Sequence, residues 1–583
     1  MTLTFSLLSS AFSYAQSSVL ATGEWYKIAT TRTGVHKIDA TFLKDAGIDI
    51  TKVNPQNIRL FGNGGGVLPQ ANNTPRVKDL IENHIEIVGE SDGKFDQSDY
   101  ILFYAESPHR ILYNTNNQQF THQNNPYSDT TFIFLNFSDT KGLRIKNQTL
   151  LSSTNNIRTF DDFSFHELDQ RNVVSLGGRD LGGSGREWYG ESFGVSPEIN
   201  FDLKTEGIIP NSSIKLTSAI LGASFTTTKV SLKLNADSLI GEQSLRAIGT
   251  GTYDIKGYEN TQTFTAISNG KNSQKLTFSF NKNNQNSSVA YLNYFEVQTK
   301  RKLQVYEQQT LTRSIESLGN KSSNFIISQA SNTQKIWDIT NPLLPENIAF
   351  QINNSEASFG TETQNKLKTF VLFSNTNLLE PNTIQKITNQ NLQQTQTPDL
   401  LILTVKNWRE QAERLAAFRR INDGLSVSVV DIDNIYNEFS SGSPDPTAIR
   451  DFGRFLWQKN PTKLKYLLLF ADASFDYKNI IQYASIDTKL QIPTYESRES
   501  LNPVNSYASD DYFGFFEDNE GEWQENNVGN HSMEIGVGRL PVKTVEDAKI
   551  AVDKLIYYAR TQRTAGSWRR KISFVADDGD FNI

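Results

Sequence analysis

Three carboxylates in the last third of the chain border apolar segments and could act together. Asp472 closes an apolar run, Asp510 lies in the polar segment Tyr-Ala-Ser-Asp-Asp-Tyr of residues 507–512, and Glu534 opens a further apolar run. They would converge if these segments neighbour one another in a sheet. Three hard oxygen donors combined with backbone carbonyls suit calcium and not a transition metal. The alternative is that Asp472 caps a turn and that Asp510 is solvated.

The elements around these carboxylates alternate between strand and helix patterns. Residues 466–471 are six apolar or aromatic residues in a row, which is typical of a strand buried on both faces. Strands separated by helices indicate right-handed crossovers and a mainly parallel sheet. Asp472 would then lie at the carboxyl end of a strand, where open α/β sheets carry their chemistry. The other predicted strands are residues 400–405, 425–430, 534–538 and 572–576.

Helix starts can be predicted between these strands. Asn407 and Glu410 have the spacing of a capping box, and Asp445 before Pro446 is typical of an N-cap and first helical residue. Thr544 with Asp547 predicts a third start. One buried helix face is predicted to comprise Trp408, Ala412, Leu415 and Phe418, and another Ile449, Phe452, Phe455 and Leu456.

Several segments resemble a known family in order and spacing. Residues 466–472, 509–512 and 534–541, followed by a helix over 546–558, resemble the gingipain-type cysteine peptidases. In the amino-terminal half, residues 23–28, 58–65 and 92–104 resemble the sortases of the type IX secretion system. Each motif is short, but their order extends over nearly the whole chain.

The resemblance implies functions for individual residues. The positions matching calcium ligands in gingipains are Asp472, Asp510 and Glu534, together with backbone carbonyls at Tyr507 and Tyr512. The family's catalytic pair is a histidine in a Gly-His-Gly turn and a later cysteine, and both would lie beyond residue 583. We therefore expect these residues to be part of a longer polypeptide and to be inactive alone.

A further implied residue is the acid that orients the catalytic histidine. Asp578 matches that position, and Asp577 is the neighbouring candidate. Such an acid fixes the imidazole tautomer and stabilises the imidazolium. A plain turn at the end of a strand is the alternative interpretation for either residue.

The activity implied by the resemblance is that of a cysteine endopeptidase and transpeptidase at the outer membrane or cell surface. It would remove the carboxyl-terminal sorting domain of secreted cargo proteins and attach the cargo to surface lipopolysaccharide. The β domains would dock on outer-membrane partners such as PorV. Two other classes remain open: a secreted gingipain-like protease with a β propeptide, and a non-enzymatic surface adhesin on a degenerate peptidase fold.

Composition excludes some of the other functions. The chain has 57 basic and 64 acidic residues, for a net charge of −7, and no dense basic stretch, so nucleic acid is not an expected partner. With no cysteine among 583 residues, disulfides, thiolate metal sites and a cysteine nucleophile are excluded within them. His531 is the one histidine after residue 397, so no nucleophile-base pair is visible there.

The domain organisation follows from shifts in composition. Residues 1–15 resemble a secretory signal without its basic start, so we expect the true start to lie upstream. Residues 16–147 predict a mixed β-rich domain and 151–374 an antiparallel β-sandwich, with a glycine-rich loop at 177–186. The Gln/Asn/Thr-rich residues 375–397 predict a linker. Residues 398–583 predict the first half of an α/β caspase- or gingipain-like domain, incomplete as it stands.

Overall fold

The computed structural model describes residues 17–174, 183–235, 238–376, 378–481, 487–523, 531–560 and 565–574. It confirms the predicted class: several β-rich units precede an α/β domain with a parallel sheet. The predicted signal, residues 1–15, lies outside the described residues. Among those described, no helix combines the length and the apolar character needed to cross a bilayer.

The amino-terminal unit is built from two antiparallel sheets and a hairpin. Its core includes Ile28, Leu60, Phe103 and Leu135, all inaccessible or nearly so. The five-stranded sheet has the order Thr383–Ile387, Glu24–Thr30, Thr131–Phe137, Ile58–Phe61 and Glu82–Asn83; the three-stranded sheet has Gly34–Asp39, Tyr100–Ala105 and Glu86–Val88; the hairpin pairs Arg110–Asn114 with Gln119–Gln123.

A β-sandwich follows, as alternation in its strands predicts. In Thr228–Leu234, for example, Val230, Leu232 and Leu234 are buried, while the alternate residues Lys229, Ser231 and Lys233 are exposed or half-buried. One sheet has the order Thr159–Glu167, Ala290–Lys302, Ser213–Gly222 and Tyr258–Ile267; the other has Glu198–Lys204, Ser273–Asn281, Thr228–Leu234 and Ser238–Leu245.

A second pair of sheets, with its own core around Phe325, Phe359 and Phe370, completes the β-rich part. Residues 151–374 therefore hold two β units and not one sandwich. One sheet has the order Lys146–Asn147, Glu346–Asn347, Gln334–Asp338, Thr369–Ser374 and Gln309–Arg313; the other has Asn156–Ile157, Ser322–Ile327, Glu356–Glu362 and Gln351–Asn353.

The polar segment predicted as a linker is partly a strand. Thr383–Ile387 pairs antiparallel with Glu24–Thr30, with Ile384 opposite Ile28. The segment thus adds an edge strand to the amino-terminal sheet before entering the α/β domain. A segment rich in Gln, Asn and Thr can form either an exposed edge strand or a linker. The composition of this segment therefore does not distinguish between the two.

The α/β domain has a four-stranded parallel sheet in the order Val427–Asp431, Leu400–Thr404, Tyr466–Phe470 and Gly536–Arg539. All five residues of Leu400–Thr404 are buried, as expected of a central strand. Tyr466–Phe470 is less buried than predicted, because Tyr466 is exposed at its start. A small antiparallel pair, Tyr495–Glu496 with Ala508–Ser509, lies in the insertion between the last two parallel strands.

The helices of the chain are α1 (Ala40–Asp45), α2 (Arg409–Asn422), α3 (Ile432–Phe439), α4 (Pro446–Lys459) and α5 (Val545–Arg560). Two predicted starts are confirmed: Asp445 accepts a hydrogen bond from the Thr447 amide, and Thr544 accepts one from the Asp547 amide. Right-handed crossovers place α2 and α4 on opposite faces of the sheet, because the chain moves in opposite directions across it.

Two local expectations for this domain were wrong, and one helix was missed. Asn407 does not cap α2; a 3-10 turn, Lys406–Trp408, leads directly into it, and Trp408 provides no side-chain cap. Helix α3 was not predicted. Residues 572–574 of the predicted last strand are not in a strand, and Ile572 and Phe574 are exposed, since no described strand pairs with them; residues 575–576 lie outside the described part.

Candidate functional site

The carboxyl edge of the parallel sheet is organised by a single guanidinium. Arg539, at the end of Gly536–Arg539, donates from Nε and Nη2 to the two oxygens of Asp510, each at 2.7 Å. Its Nη1 also donates to the carbonyls of Ala471 (3.0 Å) and Ile492 (2.8 Å). One largely buried side chain thus joins three loops in a bidentate pair of fixed geometry.

Asp472 lies where the sequence predicted, directly after Tyr466–Phe470. Its backbone amide donates to the Val542 carbonyl at 3.0 Å, and its carbonyl accepts from the Ile492 amide at 3.0 Å. Its carboxylate lies 3.3 Å from the Lys543 ammonium. The residue therefore links the strand end to the segments on both sides of it.

The side chains of Glu534 and Tyr512 contact different residues and do not share a hydrogen-bond partner within the described part of the chain. Glu534 accepts a hydrogen bond from the Phe516 amide at 2.6 Å, and burial raises the pKa of its carboxyl. The Tyr512 hydroxyl accepts from Arg450 at 2.8 Å and lies 3.0 Å from the Thr447 hydroxyl, in a fully buried position. Burial also raises the pKa of this phenol.

Tyr507 contributes its backbone to the antiparallel pair in the insertion. Its amide donates to the Ser497 hydroxyl at 3.1 Å, and its carbonyl accepts from the Ser497 amide at 3.0 Å. This carbonyl, which the resemblance matches to a metal donor, thus already accepts a hydrogen bond.

The calcium prediction gains no support from this arrangement. Both Asp510 oxygens accept from Arg539, Asp472 faces Lys543, and Glu534 accepts from a backbone amide. Within the described ranges, no group of three or more His, Asp or Glu side chains is arranged to hold a metal ion. Calcium stays a prediction, and in the structure these carboxylates anchor loops through their contacts with Arg539, Lys543 and the Phe516 amide.

A buried indole supports the same edge. Trp408, between Leu400–Thr404 and α2, donates from Nε1 to the Phe470 carbonyl at 2.7 Å and is almost completely buried. It therefore satisfies the last carbonyl of the neighbouring strand. The sequence pattern placed Trp408 on a buried helix face but gave no sign of this hydrogen bond.

The remaining predicted residues contribute no catalytic pair. His531 packs its ring against Phe515 at 5.2 Å, and neither of its nitrogens has a hydrogen-bond partner among the described residues. Asp577 and Asp578, the candidates for the acid that orients a histidine, lie outside the described residues. The described edge thus holds charged anchors and buried aromatics.

Comparison with known proteins finds a family match in the part of the chain that contains this edge. Residues 393–583 match the model of peptidase family C25. The crystal structure of dimeric latent PorU from Porphyromonas gingivalis matches with a TM-score of 0.81 and 25% identity over 95% of this chain. The chain has a PorU-like fold with a C25 peptidase domain.

The match covers one part of the PorU structure. The chain spans 51% of the PorU chain, about half its length. No curated protein matches the sequence. Two carbohydrate-binding modules also match. CBM35 from Cellvibrio japonicus Abf62 has a TM-score of 0.15 and 13% identity, and the match covers 24% of this chain and 97% of that one. A CBM6 from Zobellia galactanivorans has a TM-score of 0.13 and 19% identity, and the match covers 23% of this chain and 98% of that one. Scores this low carry no argument.

Arg539 is the main residue that sequence reasoning missed. It lies inside the segment 534–541 that carries the resemblance, yet the sequence marks it only as a charge after an alternating Gly-Val-Gly strand. Its acceptors are a carboxylate 29 residues earlier and backbone carbonyls from two further loops. The signal in the sequence that could have pointed to it is an arginine at the carboxyl end of a strand predicted to belong to the parallel sheet.

Proposed function

We propose that the chain is the amino-terminal part of a type IX secretion sortase of the PorU kind. The complete protein would be a cysteine endopeptidase and transpeptidase that removes the carboxyl-terminal sorting domain of secreted cargo and attaches the cargo to surface lipopolysaccharide. The observation that carries the proposal is the shared fold with PorU over 95% of this chain at 25% identity.

In the proposed enzyme, the C25 domain carries the catalytic residues. The C25 domain supplies the parallel sheet, whose carboxyl edge is held by Arg539 and Trp408. The sequence contains no cysteine, so the thiol nucleophile and its histidine base would come from residues outside this sequence. Within it, Asp578 would orient the histidine, with Asp577 as the neighbouring candidate.

The β-rich units would serve recognition. Their extensive contacts with the C25 domain favour a fixed scaffold over a detachable propeptide: the Leu68 amide donates to Asp445, the N-cap of α4, at 2.9 Å, and Asn72 donates to the carbonyls of Phe515 and Glu517. We propose that this scaffold positions cargo with a sorting domain and docks on an outer-membrane partner such as PorV, at the cell surface.

The experiment is incubation of the full-length gene product with a cargo protein that carries its sorting domain, with and without lipopolysaccharide. Mass spectrometry should show loss of the sorting domain and, with lipopolysaccharide present, a conjugate at the new carboxyl terminus. Cleavage without a conjugate would support the peptidase activity and contradict the transpeptidase activity. An intact cargo, under conditions where the protein is folded, would contradict it.

A further inference from the structure

A short segment from the β-rich part is inserted against the C25 domain. Residues 184–188, here called the strap, overlap the end of the glycine-rich stretch 177–186 that the sequence predicted to be a loop. The strap lies against residues 494–510, here called the edge loop, which contain the Tyr495–Glu496 and Ala508–Ser509 pair and end at Asp510. The two segments come from different units of the chain.

Consecutive backbone amides of the strap are bound by the edge loop. The Gly185 amide donates to the Glu496 carboxylate at 3.0 Å, and the Arg186 amide to the Ser497 carbonyl at 3.1 Å. The Glu187 amide donates to the Ser500 hydroxyl at 3.0 Å. Such a row of three contacts fixes the path of both segments, and the buried Gly185 amide in particular needs its acceptor.

Side chains add to this contact at both ends of the strap. The Ser184 hydroxyl lies 2.6 Å from the Ser506 hydroxyl. Trp188 is buried and stacks on Phe475, with ring centroids 5.8 Å apart and planes 15° apart. Phe475 belongs to the segment that follows Asp472, so the strap reaches the carboxyl edge of the parallel sheet.

Gly185 is required by this geometry. Its φ is +81°, and a Cβ there would lie 2.2 Å from the Ser500 hydroxyl oxygen and 2.6 Å from the Glu499 carbonyl oxygen. The carbonyl is backbone and cannot rotate away. Any side chain at this position would therefore push the strap from the edge loop.

We propose that the strap is a positioning element that the β-rich part supplies to the carboxyl edge of the C25 domain, and that it holds the edge loop so that Asp510 meets Arg539. Glu496 is the centre of the contact, because it lies on the paired strand and accepts from Gly185. The inference does not depend on the sortase activity, since its test measures loop order and not turnover.

Glu496 also makes the contact sensitive to pH. It is almost completely buried, and its Oε1 has no hydrogen-bond partner among the described residues. Burial raises the pKa of this carboxyl to about 8, and the Asp510 carboxylate adds to the rise, while the Gly185 amide opposes it. Charged or titratable groups around this contact include Arg186 and Glu187 on the strap, and Tyr477 and Tyr495 on the C25 side.

Hydrogen exchange of the complete chain tests the strap. In Gly185→Ala we expect amide exchange in residues 494–510 to rise about tenfold or more, with the strands of the β-sandwich unchanged. Gly47→Ala is the matched control, because Gly47 also has positive φ (+78°) but no atom within 4 Å of its Cβ position. Unchanged exchange in residues 494–510 of Gly185→Ala would overturn the proposal.

Glu496→Gln keeps the proposal testable if the alanine variant does not fold. The amide oxygen still accepts from Gly185, but the side chain no longer titrates. After correction for the intrinsic exchange rate, we expect exchange in residues 494–510 of the wild type to rise between pH 6 and pH 9, and that of Glu496→Gln to stay flat. Glu307→Gln, whose exposed carboxylate lies outside the strap and the edge loop, should keep the wild-type rise. A rise of equal size in Glu496→Gln would refute the role of Glu496.

Discussion

Arg539 and Asp510 form a two-pronged ion pair across the carboxyl edge of the parallel sheet, with both nitrogen-oxygen distances at 2.7 Å. The same guanidinium also donates hydrogen bonds to the backbone carbonyls of Ala471 and Ile492. The conformation of this edge therefore depends on a pair whose partners belong to different segments. Four predictions follow from this pair and from other buried groups.

Asp510→Asn should destabilise the C25 domain by about 3–5 kcal/mol, because it leaves a largely buried guanidinium without its counter-charge. The measurement is hydrogen exchange of the Leu400–Thr404 amides as a function of urea concentration. Glu307→Gln is the control: its partner Lys204 and Glu307 itself are both exposed, so the change should cost about 0–1 kcal/mol. Equal effects of the two substitutions would refute the organising role of Arg539.

Trp408→Phe should cost about 1–3 kcal/mol, because the Phe470 carbonyl loses its buried donor while most of the ring volume is kept. Thermal unfolding of the C25 domain checks this. Ile421→Ala, on the exposed side of the neighbouring helix α2, should change stability by less than about 0.5 kcal/mol. A Phe variant as stable as the wild type would show that the indole hydrogen bond is dispensable.

His122 should make the hairpin at residues 110–123 pH-sensitive. Burial lowers the pKa of this imidazole, but hydrogen bonds with Glu167 and Glu296 outweigh burial and raise it to about 9. The folded pKa exceeds the ordinary value of about 6.5, so this stabilisation is complete below pH 6.5 and is lost as pH rises through 9.

The measurement for His122 is the stability of the hairpin between pH 6 and pH 10. In His122→Gln the decline should disappear, and the variant should be less stable than the wild type at pH 6. A decline of unchanged slope in the variant would assign it to another group.

Lys27 should have the opposite effect on the pH dependence of stability from His122. Burial lowers the pKa of its ammonium to about 8, and its nitrogen contacts Asn437, the Gly442 carbonyl and the Phe132 ring. Because the unfolded chain binds the proton more tightly, stability should increase with pH between about 8 and 10.5. In Lys27→Met this increase should be absent, as read from hydrogen exchange of Glu24–Thr30; an increase that persists would contradict the assignment.

The fold could be predicted where local signals agree with the packing. Asp445 before Pro446 starts α4 because a carboxylate and a fixed φ suit the first turn, and Trp408, Ala412 and Leu415 are buried because their spacing matches a helix. Helix α3 has eight residues and begins directly after Val427–Asp431, so no turn residue separates it from the strand.

The rest could not be predicted because it depends on long-range pairing. Thr383–Ile387 is a strand because Glu24–Thr30 accepts it as a neighbour, and nothing in its own polar composition shows this. The partners of Arg539 and the docking of Gly185 on Glu496 likewise join distant segments. Asp510 could be recognised from the sequence as a candidate site residue in the edge loop, but its ion-pair partner, Arg539, could not.

Thiol-dependent cleavage tests the central claim most directly. The full-length gene product should release the sorting domain from its cargo, and alkylation of its thiols should abolish that release, while a protein of these 583 residues alone should be inert because it contains no cysteine. Release that persists after complete alkylation, or release by the 583 residues alone, would contradict the assignment to a cysteine peptidase.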